Sequence, residues 1–236
     1  MRSESGAPGR PPTGGSTPAD PPVTGRERAT RDRGRRTVAR LIEAGVEEFS
    51  SHGYHNARIA RITKRAGCSY GTFYLYFEDK DDLIWEALVP YWKENLALMR
   101  SLCPLEPTAA GRAALEAWVR QVCDLYLRYE ALLRACNEAY GTSPKLAQRG
   151  VDELSGYIHV LADRIHESDV VGLDPNTAAL VIYATLEGAN YMYASGTLVA
   201  NYRELVSLHT EFIHQSLFGV STTGPSNNAP EVRAAG

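Results

Sequence analysis

Hydroxyl-bearing and basic side chains are concentrated around residue 70 of this 236-residue chain. Ser69, Thr72 and Tyr74 come shortly after Lys64 and Arg65, and side chains of these types contact phosphate oxygens and the edges of bases. From residue 31 to residue 80 there are ten Lys or Arg against six Asp or Glu, although the whole chain has a net charge of −3. A basic segment on an acidic protein indicates a polyanion site, the alternative being an ordinary solvated surface.

Three short helices are predicted to position these groups. The first apolar stripe covers residues 38–49 and ends near Gly53, a residue type that commonly terminates helices. The second covers residues 59–66 and stops at Gly67, and Ser69 is a suitable N-cap for the third helix. Two short helices joined by a tight glycine turn are typical of a helix-turn-helix.

The rest of the chain has helical periodicity, with no sustained alternation of the strand type. Residues 1–30 contain six prolines and few large apolar side chains, and residues 220–236 are also polar, so both segments are predicted to be disordered tails. A long helix is expected at residues 81–99, with others at 109–128, 129–140, 144–167, 175–195 and 201–218. The predicted fold class is therefore all-α, with about nine helices.

The segment around residue 70 resembles the TetR family of bacterial one-component regulators. The resemblance lies in Gly53-Tyr54, in residues 62–69, and in the Gly-Thr-Phe-Tyr-Leu-Tyr-Phe block at residues 71–77 followed by residues 79–83. It covers about residues 36–85. It implies a three-helix N-terminal DNA-binding domain at residues 31–80, and a larger C-terminal helical bundle at residues 81–219 for ligand binding and dimerisation.

The resemblance also implies a function and partners. A chain of this family is expected to be a sequence-specific transcriptional regulator, and a repressor of this type is released from a palindromic operator in double-stranded DNA by a small hydrophobic effector. The homodimer would form through the last two helices. Residue spacing does not distinguish repression from activation, so a DNA-binding activator or an architectural protein remains an alternative.

The roles of individual residues follow from their positions in the family pattern. Tyr70 lies where an exposed recognition-helix residue reads bases, and Ser69 presents its hydroxyl beside it. Three further aromatic residues are expected to hold the small domain together: Phe73, Tyr76 and Phe77. The residues expected to meet phosphates are Thr72, Tyr74, Lys80, Arg58 and Arg36.

Three positions depart from the family pattern. Ala57 stands where a capping Thr or Ser is usual, Thr63 replaces an alanine, and Cys68 replaces a valine. Loss of a cap costs about 1 kcal/mol. We expect Asn56 to act as the substitute cap of the second helix.

The predicted bundle carries many bulky side chains together with a few polar groups, as small-molecule sites do. Any one of these side chains is a core residue in the simpler interpretation. The residues predicted to line a ligand site are Trp85, Leu88, Trp92, Trp118, Tyr126, Asn137, Tyr140, Tyr157, Tyr183, Glu187 and Asn190. Two further stripes, on the last two helices, are either intramolecular core or part of a dimer interface: Ala179, Ile182, Leu186 and Tyr193 on one, and Leu205, Leu208, Phe212 and Leu217 on the other.

An enzyme is the main alternative from another functional class. The sequence has no GxSxG, GxGxxG or HExxH motif and no phosphate-binding lysine loop, and its six histidines form no convincing acid-base or metal set. The four cysteines are scattered, so we expect neither a disulfide framework nor a metal site. We expect no catalytic residues, no cofactor and no membrane segment, and a cytoplasmic location.

Overall fold

A computed structural model of the protein describes residues 25–168, 170, 172–198 and 201–219. All regular elements in these ranges are α-helices, which confirms the all-α prediction. The eight helices are α1 (Gly25–Asn56), α2 (Ile59–Arg65), α3 (Tyr70–Phe73), α4 (Lys80–Ser101), α5 (Ala109–Tyr140), α6 (Pro144–His166), α7 (Pro175–Ala194) and α8 (Tyr202–Phe218).

The count differs from about nine because residues 109–128 and 129–140 form one helix, α5. No Pro or Gly lies between Arg128 and Tyr140, and the buried stripe continues in phase from Leu125 through Leu132 to Cys136. A break at residue 128 would interrupt that stripe. The remaining predicted helices match the observed ones to within one or two residues at most ends.

The chain divides into two units, residues 1–36 and residues 37–236. The described part of the first unit, residues 25–36, belongs to α1. Residues 25–30, which the sequence assigned to the first tail, are thus helical, whereas residues 1–24 and 220–236 lie outside the described residues. The other predicted domain boundaries stay predictions.

Two hydrophobic clusters fill the second unit. The first includes Leu41, Phe49, Ile62 and Phe73, and it continues into α4 and α5 and reaches Leu146 of α6. The predicted boundary at residue 80 therefore crosses a continuous core. The second cluster joins the far end of α4 to α5, α6, α7 and α8. Because one core connects the helix-turn-helix to the bundle, a displacement of α4 or α5 changes the packing of both.

The stripes expected on the last two helices are mostly intramolecular core. Ala179, Ile182 and Leu186 of α7 are buried within the chain, as are Leu205 and Leu217 of α8. Tyr193 is half-buried, and Leu208 and Phe212 are exposed. No helix in the described ranges has the length and apolar character needed to cross a membrane.

Candidate functional site

The surface around α3 presents hydroxyl and aromatic groups to solvent; we call it the α3 face and define it as Tyr70, Thr72 and Tyr74. The side chain of Tyr70 is 53% exposed and that of Tyr74 is 49% exposed, and the two rings meet edge to face with centroids 5.3 Å apart. Ser69 is the predicted N-cap, because its Oγ accepts from the Thr72 backbone N–H at 3.1 Å. Its hydroxyl also meets the Thr72 hydroxyl, 2.8 Å away. The groups expected to face DNA therefore lie together.

The opposite side of α3 is buried. Phe73 and Phe77 are in the core as expected, with ring centroids 5.5 Å apart. Tyr76 was expected to pack beside them, and this prediction is wrong: its side chain is 41% exposed. The backbone N–H groups of Tyr76 and Phe77 both bond to the Phe73 carbonyl, so the chain continues as a helical turn in which only one of two successive residues can face inward.

Lys80 lies at the first residue of α4 and is half-buried. Its Nζ donates to the carbonyl of Tyr54 at 2.9 Å and to that of Ala57 at 3.3 Å, and it sits 4.3 Å from the centre of the Tyr54 ring. Burial lowers the pKa of the Lys80 ammonium. An ammonium has three protons, so Lys80 ties the start of α4 to the last turn of α1 and to Ala57, and has one donor left for a phosphate.

Arg58 is exposed and precedes α2. Its side chain makes no cap, and the prediction that Asn56 is the substitute cap is wrong, since the Asn56 amide donates back to the carbonyl of His52 at 3.2 Å. The cap comes from α1: the buried Glu48 accepts the Arg58 backbone N–H at Oε1, 3.0 Å away. Arg61 Nε donates to the same oxygen at 2.6 Å.

Glu48 thus places a buried carboxylate at the N-terminus of α2. Burial raises its pKa, but the hydrogen bonds from Arg61 and from the Arg58 backbone outweigh burial, so the pKa lies below its ordinary value of 4.5. A negative charge at a helix N-terminus is also favoured by the helix dipole. Arg36, the last predicted phosphate contact, is exposed on α1 within the unit of residues 1–36.

Gly53 marks the connection between α1 and the bundle. Its φ is 70°, in the left-handed region that favours glycine. The turn presents the Tyr54 backbone N–H to Glu138 Oε2 of α5, 2.9 Å away, and a Cβ at Gly53 would lie 2.8 Å from that same oxygen. The Tyr54 hydroxyl donates to Asp81 of α4. Tyr54 therefore connects the helix-turn-helix to both α4 and α5.

A cavity of about 250 Å³ lies between α4, α5, α6 and α7. Six of the residues predicted for a ligand site line it: Trp92, Asn137, Tyr140, Tyr157, Tyr183 and Glu187. The Tyr91 hydroxyl donates to Glu187 Oε1 at 3.0 Å, and the Asn95 amide donates to the Tyr183 hydroxyl at 3.2 Å. Polar groups thus converge on a mostly aromatic chamber, as in small-molecule sites.

The other five predicted residues lie outside this lining. Trp85, Leu88 and Tyr126 belong to the first hydrophobic cluster. Trp118 belongs to the second, where its indole Nε1 donates to the Leu98 carbonyl at 2.8 Å. Asn190 is buried, and its Oδ1 has no hydrogen-bond partner among the described residues. These five side chains serve the core, which was the simpler interpretation for each.

Helical spacing explains which residues line the cavity. α5 contributes residues at i, i+3, i+4 and i+7 starting from Leu133, α6 does so from Gly150, and α7 from Leu180. Glu153 lies four residues before Tyr157 and was missed, although the same spacing places it on the Tyr157 face. The residues that the sequence prediction left out are Tyr91, Leu133, Cys136, Gly150, Glu153, Leu154, Leu180 and Ala184. The described residues contain no group of three or more His, Cys, Asp or Glu side chains that could hold a metal ion.

Comparison with known proteins identifies relatives of the chain. Residues 41–87 match the model of the bacterial regulatory proteins of the tetR family. The fatty acid metabolism regulator protein of Bacillus subtilis is 26% identical over 155 residues, which are 62% of this chain and 78% of that protein. The HTH-type transcriptional repressor SCO4008 of Streptomyces coelicolor is 33% identical over 118 residues, 48% of this chain and 57% of that protein.

The fold has a counterpart among solved structures. The transcriptional regulator FadR of Bacillus subtilis, in complex with stearoyl-CoA, aligns with a TM-score of 0.56 at 21% identity, over 77% of this chain and 98% of that one. The matched residues 41–87 include the α3 face, its buried anchors and Lys80. Residues 41–87 of the chain therefore match the tetR family of bacterial regulatory proteins, and the fold is similar to that of a solved transcriptional regulator.

Proposed function

We propose that the chain is a homodimeric repressor that binds a palindromic operator through α3 and leaves it when a small hydrophobic ligand enters the cavity. The α3 face carries the proposal: Tyr70 and Tyr74 are exposed on a turn whose inner side chains, Phe73 and Phe77, are fully anchored. A short helix held in this way suits insertion into a major groove, where its hydroxyls meet phosphates and base edges.

Exposed apolar side chains on α7 and α8 support the dimer. Large apolar residues rarely line a solvated helix face in such numbers, and here Leu208 is 67% exposed and Phe212 is 47% exposed. On α7 the corresponding residues are Val181, Tyr191 and Met192. A two-fold dimer on these helices would present two α3 faces, and half-sites about 34 Å apart in successive major grooves would be read together.

Coupling between ligand and DNA would pass through α5 and α4. Asn137 lines the cavity, and the next residue, Glu138, holds the Tyr54 backbone. Lys80 and Asp81, at the start of α4, hold the same tyrosine. A ligand that displaces α5 or α4 would therefore change the position of the helix-turn-helix, and operator affinity would fall by the difference in ligand affinity between the two conformations.

A binding experiment tests the DNA function. Purified protein should shift a fragment from upstream of its own gene, and its affinity should fall steeply as salt rises, because phosphate contacts release counterions. The double variant Thr72→Ala, Tyr74→Phe removes two hydroxyls from the α3 face and keeps the ring that meets Phe73. It should bind the fragment more weakly and remain a dimer, whereas Tyr129→Phe, which removes a phenol hydroxyl from α5, should bind normally.

Two outcomes would contradict the proposal. One is the absence of salt-sensitive, sequence-preferring binding to any genomic fragment. The other is loss of DNA binding and of the dimer together in the double variant, which would give the hydroxyls a structural role. A reporter gene behind the bound fragment separates repression from activation, since a repressor lowers its output and an activator raises it.

A further inference from the structure

The cavity between α4 and α7 contains two carboxylates and no cationic side chain to balance them. Glu153 enters from α6 and Glu187 from α7. Among the described residues that line the cavity, none is Lys, Arg or His. Burial raises the pKa of Glu187 above its ordinary value, although hydrogen bonds from Tyr91 and Tyr183 oppose the rise. Ionised Glu187 thus has no cationic partner among the described residues that line the cavity.

Tyrosine hydroxyls around the cavity already direct their protons to these carboxylates. The Tyr91 hydroxyl donates to Glu187 at 3.0 Å, and Tyr183 also hydrogen-bonds to that carboxylate. The Tyr157 hydroxyl lies 3.4 Å from Glu153 Oε2 and 3.3 Å from a backbone carbonyl of α4. What the two carboxylates leave for a ligand is oxygen lone pairs, which attract donors and cations and repel an anion. The Trp92 indole Nε1, buried and without a hydrogen-bond partner among the described residues, is a neutral donor on the same wall.

Two arginines close in sequence to cavity residues of α5 and α6 are engaged elsewhere. Arg149, beside the cavity residue Gly150, has its guanidinium 4.5 Å from the Trp85 ring and 3.4 Å from Asp82. Arg134 of α5 pairs with Glu130, 3.3 Å away. Neither guanidinium lines the cavity, so an anionic head group would meet two carboxylates without a cation to offset them.

Aromatic rings supply the remaining wall. Tyr157 and Tyr183 stack with centroids 5.9 Å apart, and Tyr91 and Trp92 meet edge to face at 4.9 Å. Tyr140 completes the aromatic lining. The faces of such rings attract cations, above all ammonium groups removed from water.

We propose that this cavity binds an organic cation, a protonated or quaternary amine on an apolar body, with its positive charge against Glu187 and Glu153 and its body among the tyrosines. The proposal rests on the proposed function, because it names the ligand class of the same cavity. The names of the relatives point to a different chemistry: fatty acid metabolism in one, and a bound stearoyl-CoA in the other. The carboxylates of this chain distinguish it from a site for an acyl anion.

A head-group series measures the preference directly. Calorimetric titration of the full-length protein uses n-octyltrimethylammonium, 1-octanol and octanoate, which share one alkyl chain and differ in head-group charge, together with octanoyl-CoA. We expect the ammonium compound to bind with a Kd at least about tenfold lower than that of octanoate. In a site removed from water, an attractive and a repulsive charge pair differ in affinity by more than about a factor of ten. Tighter binding of octanoate or octanoyl-CoA, or equal Kd values for the three simple compounds, would overturn the proposal.

A substitution of Glu187 tests whether this carboxylate holds the positive charge of the ligand. Glu187→Gln keeps an acceptor for the Tyr91 hydroxyl and removes the negative charge, so the Kd for n-octyltrimethylammonium should rise about tenfold while that for 1-octanol stays unchanged. Glu116→Gln, which removes a carboxylate paired with Arg120 on α5 away from the cavity, should leave both unchanged. An unchanged ammonium Kd in Glu187→Gln would refute the assignment. If this variant loses its helical circular dichroism, the head-group series on the wild-type protein still decides.

Failure here is distinguishable from failure of the proposed function. Titration of the protein alone involves no DNA, and the gel-shift experiment involves no ligand. A protein that binds its operator and prefers octanoyl-CoA remains a regulator with a different effector. If the protein binds the ammonium compound and no DNA, the proposed ligand class is supported and the proposed regulatory function is refuted.

Discussion

Removal of the Glu48 carboxylate tests whether α2 is capped from α1. In Glu48→Ala the Arg58 backbone N–H loses its acceptor and Arg61 loses its charge partner. A hydrogen bond from a backbone N–H to a charged group contributes about 2 kcal/mol. The pair with Arg61 adds little, because the arginine side chain is 39% exposed and water screens it. The free energy of unfolding should therefore fall by about 2 kcal/mol.

The assay is urea unfolding followed by circular dichroism at one fixed protein concentration, since a dimer's stability depends on concentration. Glu47→Ala is the matched control: it removes the neighbouring carboxylate, which pairs with Arg65 at the surface. This control should cost less than about 0.5 kcal/mol. Equal losses in the two variants would refute the capping role, as would a loss in Glu48→Ala no larger than the control value.

Acid provides a second check on Glu48. Its pKa in the folded protein lies below the ordinary value of 4.5, so the ionised carboxylate stabilises the fold above that pH. The contribution is lost as the pH falls below 4.5 towards the folded pKa. The difference in unfolding free energy between wild type and Glu48→Ala should accordingly shrink on acidification through this window, and a difference that grows would contradict the assignment.

Two further substitutions test the cavity and the dimer. Gly150→Ala places a methyl group 2.7 Å from the Tyr140 hydroxyl oxygen, so the binding of n-octyltrimethylammonium measured by calorimetry should weaken. Gly156→Ala is the control on the same helix, because its methyl group meets nothing within 4 Å. This control should leave the Kd unchanged and raise the free energy of unfolding by about 1 kcal/mol. Leu208→Glu puts a charge on the exposed stripe of α8 and should convert the proposed dimer to monomer in sedimentation experiments. Val151→Glu, at an exposed valine of α6, should leave the proposed dimer intact.

Much of the fold can be predicted from the sequence, because its helices have clear apolar periodicity and clear ends. Ser69 illustrates this, since a serine before a short helix is a cap on local grounds alone, and the structure places it there. The missing cap of α2 could not be assigned locally. Its acceptor, Glu48, lies ten residues away on another helix, and only the packing of α1 against α2 brings the two together. Asn56 was the nearest local candidate and was wrong.

The candidate site shows the same limit. Tyr76 was predicted from the family pattern to pack inside the small domain, yet its neighbour Phe77 occupies the inward direction of that turn. Trp118 was predicted to line a site because it is a bulky side chain of the predicted bundle, but it packs in the second hydrophobic cluster and its indole Nε1 donates to the Leu98 carbonyl. By contrast Glu153 could have been found from the sequence, since it shares a helix face with Tyr157. Local periodicity predicts faces, and tertiary packing decides which face meets a cavity.

The regular spacing of the cavity residues has a consequence for diversification. Because α5, α6 and α7 each contribute one face at i, i+3, i+4 and i+7, a mutational library confined to those positions would reshape the chamber. Three of the positions, Leu133, Cys136 and Tyr157, are also core residues, so substitutions there should keep a similar volume. None of the positions belongs to the α3 face, so the proposed ligand site and the proposed DNA-binding face can be varied in separate rounds of selection.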